Sequence, residues 1–288
     1  MKLIFRKLKN LIFKKRVYFI DSDEGLSFLK SRLTIEDSYL GIDTEFDWRR
    51  TYYPVLSLLQ ISTKKEIFII DCIKIKDLKF LKLHLEDTKK TIIFHSVRND
   101  TNVLSKCLNI HITKSFDIQI AEKIISCGEI KNYASLVFKY LNINLDKSET
   151  NSNWLKRPLA SSQLVYASED VEYLFEIARA QMKKLKKISK LKEAFEKSTE
   201  EAKMGNEDFL SMRLKKFNNK FTSLEREIFI WRENIAEKKN IPPGYIFSEK
   251  KLSKLANILR KKSYEKKEKV FKIFGDTSLS DRFLEDFS

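Results

Sequence analysis

Asp43 and Glu45, in the run GIDTEF, stand two residues apart on a segment whose apolar alternation reads as a strand. Both carboxylates therefore leave one face and Thr44 the other. Tyr166 and Asp170, in YASEDVEYL, stand four apart on a segment that reads as a helix, and they too share a face. Asp100, in FHSVRND, is a further acid near the start of a helix that follows a strand. Clustered carboxylates repel one another unless a cation neutralises them, and hard oxygen donors of this kind suit Mg²⁺ or Mn²⁺. A phosphodiester substrate would complete the coordination, so these five residues point to metal-dependent cleavage of a nucleic acid. Each alone has a plainer reading. Asp43 can be an edge-strand acid, Asp100 an acid favoured by the helix dipole, and Tyr166 a packing residue.

Elements that could position these groups are legible around them. YLGIDTEF, VLSLLQIST and EIFIIDC read as three strands, the second and third joined by a tight antiparallel hairpin at Lys64 and Lys65. TIIFHS is a fourth strand, with a helix expected from about Arg98 to Leu108. DIQIAEKIIS and YASLVFKYL have helical periodicity. Pro158 opens a turn before a long helix that bears Tyr166 and Asp170 and continues through the basic stretch at 182–192, a solvated face. The pattern is α/β, a mixed sheet flanked by helices. After Gly205 and Asn206 the signals become purely helical: LEREIFIWRENIAEKKN ends before Pro242 and Pro243, and Ser248 is a candidate N-cap for SEKKLSKLANILRKK. The expected organisation is a leader at 1–16, a first domain at 17–190, a helical linker at 191–206 and a helical domain at 207–288.

The chain has 288 residues, 56 Lys and Arg against 40 Asp and Glu, and a formal net charge of +16, which favours a polyanionic partner. Cys72, Cys107 and Cys127 are widely separated and form no C-x-x-C pair, which argues against a disulfide framework or zinc site and for a reducing, cytoplasmic compartment. His84, His95 and His111 are equally isolated, so metal binding by His and Cys is not expected. The leader MKLIFRKLKNLIFKKR carries seven Lys or Arg and no acid, with Leu3, Ile4, Leu8, Leu11 and Ile12 at helical spacing. It reads as a basic amphipathic helix for an anionic membrane or RNA, or as a solvated tail. Charges interrupt its apolar runs too often for a signal peptide, and no stretch of the chain is long enough to span a membrane.

Order and surroundings make these motifs far more specific than D-x-E or Y-x-x-x-D alone. DTEFDWRRTYYPVLSLLQIS, FHSVRNDTNVL and LDKSETNSNWLKRPLASSQLVYASEDVEYL closely resemble the ribonuclease D family of the DEDD exonuclease superfamily, in the subtype with tyrosine in its third motif. The similarity runs from about Tyr18 to Arg179. The segment with Trp231, Arg232 and Pro242-Pro243 resembles the helicase-and-ribonuclease-D C-terminal (HRDC) domain, a helical nucleic-acid-binding module. The chain departs from the pattern at Asn153, where relatives commonly carry an acid. Its last stretch, FKIFGDTSLSDRFLEDFS, does not read as the usual end of that module, and there is room for only one such module.

The resemblance implies a ribonuclease H-like mixed-sheet 3′-5′ exonuclease domain followed by a small all-α HRDC-like domain. It implies a 3′-5′ exoribonuclease using two Mg²⁺ or Mn²⁺ ions and acting on RNA such as tRNA precursors; the sequence gives no ground to infer an obligate protein partner. Asp43, Glu45 and Asp170 would ligate metal, with Asp43 bridging; Asp100 would support the second ion, and Tyr166 would align the attacking water. Lys147, Trp154 and Arg157 fall in the family-like loop as substrate-positioning groups, with structural support of that loop an equal alternative. A 3′-5′ DNA exonuclease is the rival enzyme, and an RNA-binding protein on an inactive nuclease fold is the rival from another class.

Overall fold

The computed structural model describes residues 2–3, 15–33, 38–146, 148–215, 221–261 and 264–288. The chain divides into two units, Met1–Asp47 with Pro54–Asn206, and Trp48–Tyr53 with Glu207–Ser288. In chain order the first unit contains β1 (Lys2–Leu3), β2 (Arg16–Ile20), α1 (Asp23–Arg32), β3 (Tyr39–Asp47), β4 (Val55–Ser62), β5 (Glu66–Asp71), α2 (Lys82–Leu85), β6 (Thr91–Phe94), α3 (Val97–Leu108), β7 (Ser115–Asp117), α4 (Ile118–Ile125), α5 (Tyr133–Leu141), α6 (Ser161–Glu172), α7 (Leu174–Lys187) and α8 (Leu191–Gly205).

The strands form one mixed sheet in the order β1-β2-β5-β4-β3-β6-β7. β3 lies inside it, antiparallel to β4 and parallel to β6, and β4 and β5 form the expected antiparallel hairpin. Each face is covered by helices. Leu40, Ile42, Ile61 and Phe68 pack with Leu29, Val103 and Leu104 on one side, and Leu58, Ile67, Ile69 and Ile93 with Val171, Leu174 and Ile177 on the other. Burial on both faces explains the near-continuous apolar runs of β4 and β5. A Cβ at Gly41 would lie 3.1 Å from Leu174 Cδ1 and 3.3 Å from Ser62 Cβ, so its missing side chain lets α7 sit close on β3.

Three expectations change. Lys2–Leu3 pairs with β2 as a strand and Arg16 opens β2, so the ends of the leader are extended rather than helical; residues 4–14 lie outside the described residues. Segment 191–206 is not a linker but a packed helix: Ala194, Ser198 and Ala202 are fully buried, Ser198 Oγ accepts the Asp117 amide at 2.9 Å, and Thr199 Oγ1 accepts the Ser115 amide at 3.3 Å. α8 thus covers the outer edge of β7, which would otherwise present unpaired amides. It ends on Gly205, where a Cβ would meet Thr101 Oγ1 at 2.0 Å and the Arg98 carbonyl oxygen at 2.5 Å. The long helix after Pro158 is two helices, α6 and α7, for a reason that emerges at the site.

The second unit contains α9 (Phe209–Lys215), α10 (Ser223–Lys239), α11 (Leu252–Arg260), α12 (Lys266–Phe274) and α13 (Thr277–Asp286). Thr222 and Glu225 cap α10 reciprocally, the Glu225 amide donating to Thr222 Oγ1 and the Thr222 amide to Glu225 Oε2. Ser248 precedes a short 3₁₀ turn, Glu249–Lys251, and its side chain caps nothing. Trp231 and Arg232 serve the unit's own packing: Trp231 Nε1 donates to Asp286 at 2.7 Å, and Arg232 is buried against Glu233 at 2.9 Å. The unusual last stretch completes this core through Phe283, which is fully buried. Trp48–Tyr53, between β3 and β4, belongs here as well, the Tyr52 and Tyr53 amides donating to Asn240 Oδ1 at 3.1 and 3.2 Å. No helix among the described residues is long and apolar enough to cross a membrane.

Candidate active site

Asp43 and Glu45 project from the face of β3 covered by α6, and α6 brings Asp170 to them. One carboxylate oxygen of each of the three lies within 4.8 Å of the others, and among the described residues they are the group that could hold a metal ion. Asp100 is not part of that trio. It is buried on α3, and Thr44 Oγ1, on the opposite face of β3 from Asp43, donates to its Oδ1 at 2.6 Å. Asp117 holds the start of α3: its carboxylate accepts the Ser96 and Val97 amides at 3.1 and 2.8 Å while also capping α4 through Gln119 at 2.7 Å. That acid, at the head of the helical run DIQIAEKIIS, carries a local N-cap signal, but its second duty needed the fold.

Electrostatics at the site run against ionisation. Burial, then Asp170, pushes the Asp43 carboxyl well above the usual carboxylate range, and burial, then Asp43, does the same to Asp100. Glu45 is pushed up to about 10 by burial and then by Asp43, Asp170 and Asp100. Asp170 rises to about 8 through burial and the charges of Glu169 and Asp100. A divalent cation reverses this, because it replaces mutual repulsion with attraction to every carboxylate. The oxygen-only, crowded donor set fits such an ion.

Tyr166 faces the same space. Burial and the Asp170 charge raise its phenol pKa, keeping it a neutral donor, and its hydroxyl lies 3.4 Å from Thr150 Oγ1. The buried Trp154 ring sits 5.9 Å from the Tyr166 ring and restrains it. Arg157 is committed elsewhere: Nε and Nη2 pair with the two oxygens of buried Asp71 at 2.7 Å each, and Nη1 donates to the Trp154 carbonyl at 2.7 Å. The pairing of β3 with β4 shifts between Glu45 and Phe46, leaving Ser57 as an extra residue on β4. Ser57 Oγ donates to the Trp154 carbonyl and accepts from Arg157 Nη2 at 3.2 Å. Of the two loop alternatives, support is what the Arg157 contacts provide. Lys147 lies outside the described residues.

Sequence reasoning also passed over Tyr133. Its hydroxyl donates to the Glu169 carbonyl at 2.9 Å and accepts the Tyr173 amide at 3.3 Å, entering the hydrogen-bond ladder where α6 would have continued. That insertion separates α6 from α7, three residues after Asp170.

A family profile described as 3′-5′ exonuclease matches residues 17–186, and one described as HRDC domain matches residues 222–263. Ribonuclease D of Desulfotalea psychrophila is 32% identical over 253 residues, covering 85% of this chain and 67% of that protein. The chain belongs to the ribonuclease D family. Ribonuclease D of Zymomonas mobilis is 33% identical over 247 residues, 82% of this chain and 63% of that protein. The chain spans about two thirds or less of the length of the ribonuclease D proteins it matches. Among solved structures, Escherichia coli RNase D, described as an exoribonuclease involved in structured RNA processing, superposes with a TM-score of 0.80 at 24% identity, covering 92% of this chain and 74% of that one. The ribonuclease D fold, a mixed α/β nuclease domain followed by a helical HRDC region, is therefore the fold of this chain.

Proposed function

We propose that this protein is a divalent-metal-dependent 3′-5′ exoribonuclease that removes 5′-nucleoside monophosphates from RNA 3′ ends, trimming structured RNAs such as tRNA precursors in the cytoplasm. The observation that carries the reading is the meeting of Asp43, Glu45 and Asp170 within 4.8 Å in a ribonuclease D chain. Asp43, Glu45 and Asp170 would hold Mg²⁺ or Mn²⁺, with Asp43 shared between two ions and Asp100, steadied by Thr44, supporting the second. Bound there, such ions supply an activated water and neutralise charge on the phosphate and the leaving 3′ oxygen. Tyr166 orients the attacking water through its hydroxyl, which its raised pKa keeps protonated. Trp154 and the Arg157–Asp71 clamp keep Tyr166 facing the carboxylates. The basic leader adds electrostatic attraction, to RNA phosphates or to an anionic membrane surface.

A digestion time course on 5′-labelled RNA and DNA oligomers of one sequence, with Mg²⁺, Mn²⁺ or chelator, tests this. The expected result is stepwise shortening of RNA from the 3′ end, abolished by chelator and by Asp43→Asn, with RNA binding retained in the variant. Faster loss of DNA would establish the DNA-exonuclease reading instead. No cleavage with either metal would leave an RNA-binding protein on a nuclease fold.

A further inference from the structure

Gln60 of β4 lies directly across from Asp43 of β3 and, on its other side, from Ile69 of β5. Cross-strand partners project from the same face of a sheet, so the Gln60 amide shares the face of Asp43 and Glu45, beneath α6. It is fully buried, and neither its Oε1 nor its Nε2 has a hydrogen-bond partner. An amide placed this way weakens the fold, and an apolar side chain of similar length would fill the space without that penalty. Leu58, two residues before it on the same strand face, and Ile69 offer no acceptor. Ser62, two residues after it, is already engaged, donating to the Thr63 carbonyl and accepting Lys15 Nζ at 2.9 Å. The acceptor directly across from it, on the same face of the sheet, is the Asp43 carboxylate.

We propose that Gln60 is a positioning residue of the active site: its Nε2 donates to Asp43 and fixes the plane in which that carboxylate meets metal. This rests on the metal site proposed above. The terminal torsion of a glutamine is broad, so the amide can turn to Asp43 without moving the strand. A neutral donor suits the position. Lysine or arginine there would cancel the charge the metal needs, whereas an amide orients the carboxylate and leaves its charge intact.

The test uses the full chain as parent, Gln60→Leu and Gln60→Met, with Mn²⁺ affinity by titration calorimetry, melting in EDTA, and kcat and KM on a short RNA. Both variants are expected to melt at or above the parent temperature in EDTA. They should bind Mn²⁺ about tenfold or more weakly, the loss typical of removing a group that orients a metal ligand, and lower kcat with KM unchanged. Mn²⁺ affinity equal to the parent in either folded variant overturns the assignment and leaves the metal site standing. Melting well below the parent in EDTA by both variants shows that the amide serves the core, which also overturns it. A parent that binds no Mn²⁺ overturns the metal site and this assignment together.

Discussion

The Tyr133 hydroxyl donates to the Glu169 carbonyl at 2.9 Å, and so a side chain from α5 stands in for a rung of the helix that carries Asp170. Tyr133→Phe removes that bridge and leaves the Glu169 carbonyl and Tyr173 amide to pair directly or stay unpaired. The expected stability loss is about 1–3 kcal/mol, the range for a buried polar group deprived of its partner. Because Asp170 and Tyr166 ride on the same helix, kcat should fall by about 10²-fold, as for displacement by an ångström or so. Steady-state kinetics beside denaturant melts check this; a less stable variant with parental kcat would show that the bridge serves only the helix.

Thr44 is predicted to matter through its hydroxyl alone. Thr44→Val keeps the shape on the face of β3 toward α3 but leaves Asp100 without the donor now 2.6 Å away. A fall in kcat of roughly tenfold to a hundredfold is expected, with Thr44→Ser close to parental. Single-turnover rates at saturating Mg²⁺ separate this from substrate binding, and equal rates for the valine and serine variants would remove Thr44 from the account.

The raised carboxyl pKa values set a pH dependence with a definite sign. Unfolded carboxyl groups titrate near 4, whereas Asp170 and Glu45 in the folded protein titrate at about 8 and about 10. Between those limits the native state holds more protons than the unfolded state, so without metal stability falls as pH rises from about 4 toward 8 and beyond. Metal competes with those protons, so Mn²⁺ should raise the melting temperature more at pH 8.5 than at pH 5.5. Melts across pH in EDTA and in Mn²⁺ check both statements, and Glu45→Gln should flatten the EDTA slope. An EDTA curve that rises through this window would contradict the charge arrangement described here.

The helical unit is predicted to contribute affinity rather than chemistry. Lys254, Lys261, Lys266 and Lys269 line a concavity of about 370 Å³. Lys254→Glu with Lys261→Glu should raise KM for structured RNA and lower the salt slope of binding by about two, leaving kcat on a short single strand unchanged. Substitution is a cleaner probe than truncation after residue 206, since the buried Tyr52 belongs to this unit's core and would be left exposed. An unchanged salt slope would place the RNA contact elsewhere.

Much of the site was legible because its signals are local. A period of two puts Asp43 and Glu45 on one face, and a spacing of four does the same for Tyr166 and Asp170. What escaped depends on partners far along the chain. The break after α6 is made by a hydroxyl 36 residues away, and the commitment of Arg157 to Asp71 spans 86 residues. Lys2–Leu3 departs from expectation for another reason: Leu3 at helical spacing does not prevent this pair from joining as a strand where β2 offers an open edge. α8 looked like a linker because small residues, Ala194, Ser198 and Ala202, make its contact stripe, and these weigh little in an apolar pattern.

Gly205 bears on how this protein can be recombined. Its bare Cα is wedged against Thr101 and the Arg98 carbonyl, and Asn102 Nδ2 donates to its carbonyl at 2.9 Å, all on the helix that bears Asp100. Exchange of the C-terminal module between relatives, or insertion of a spacer, should therefore be tolerated only downstream of this residue. A junction drawn earlier, at residue 190 where the sequence pattern of the first domain ends, would graft a foreign side chain onto the backing of the helix that bears Asp100.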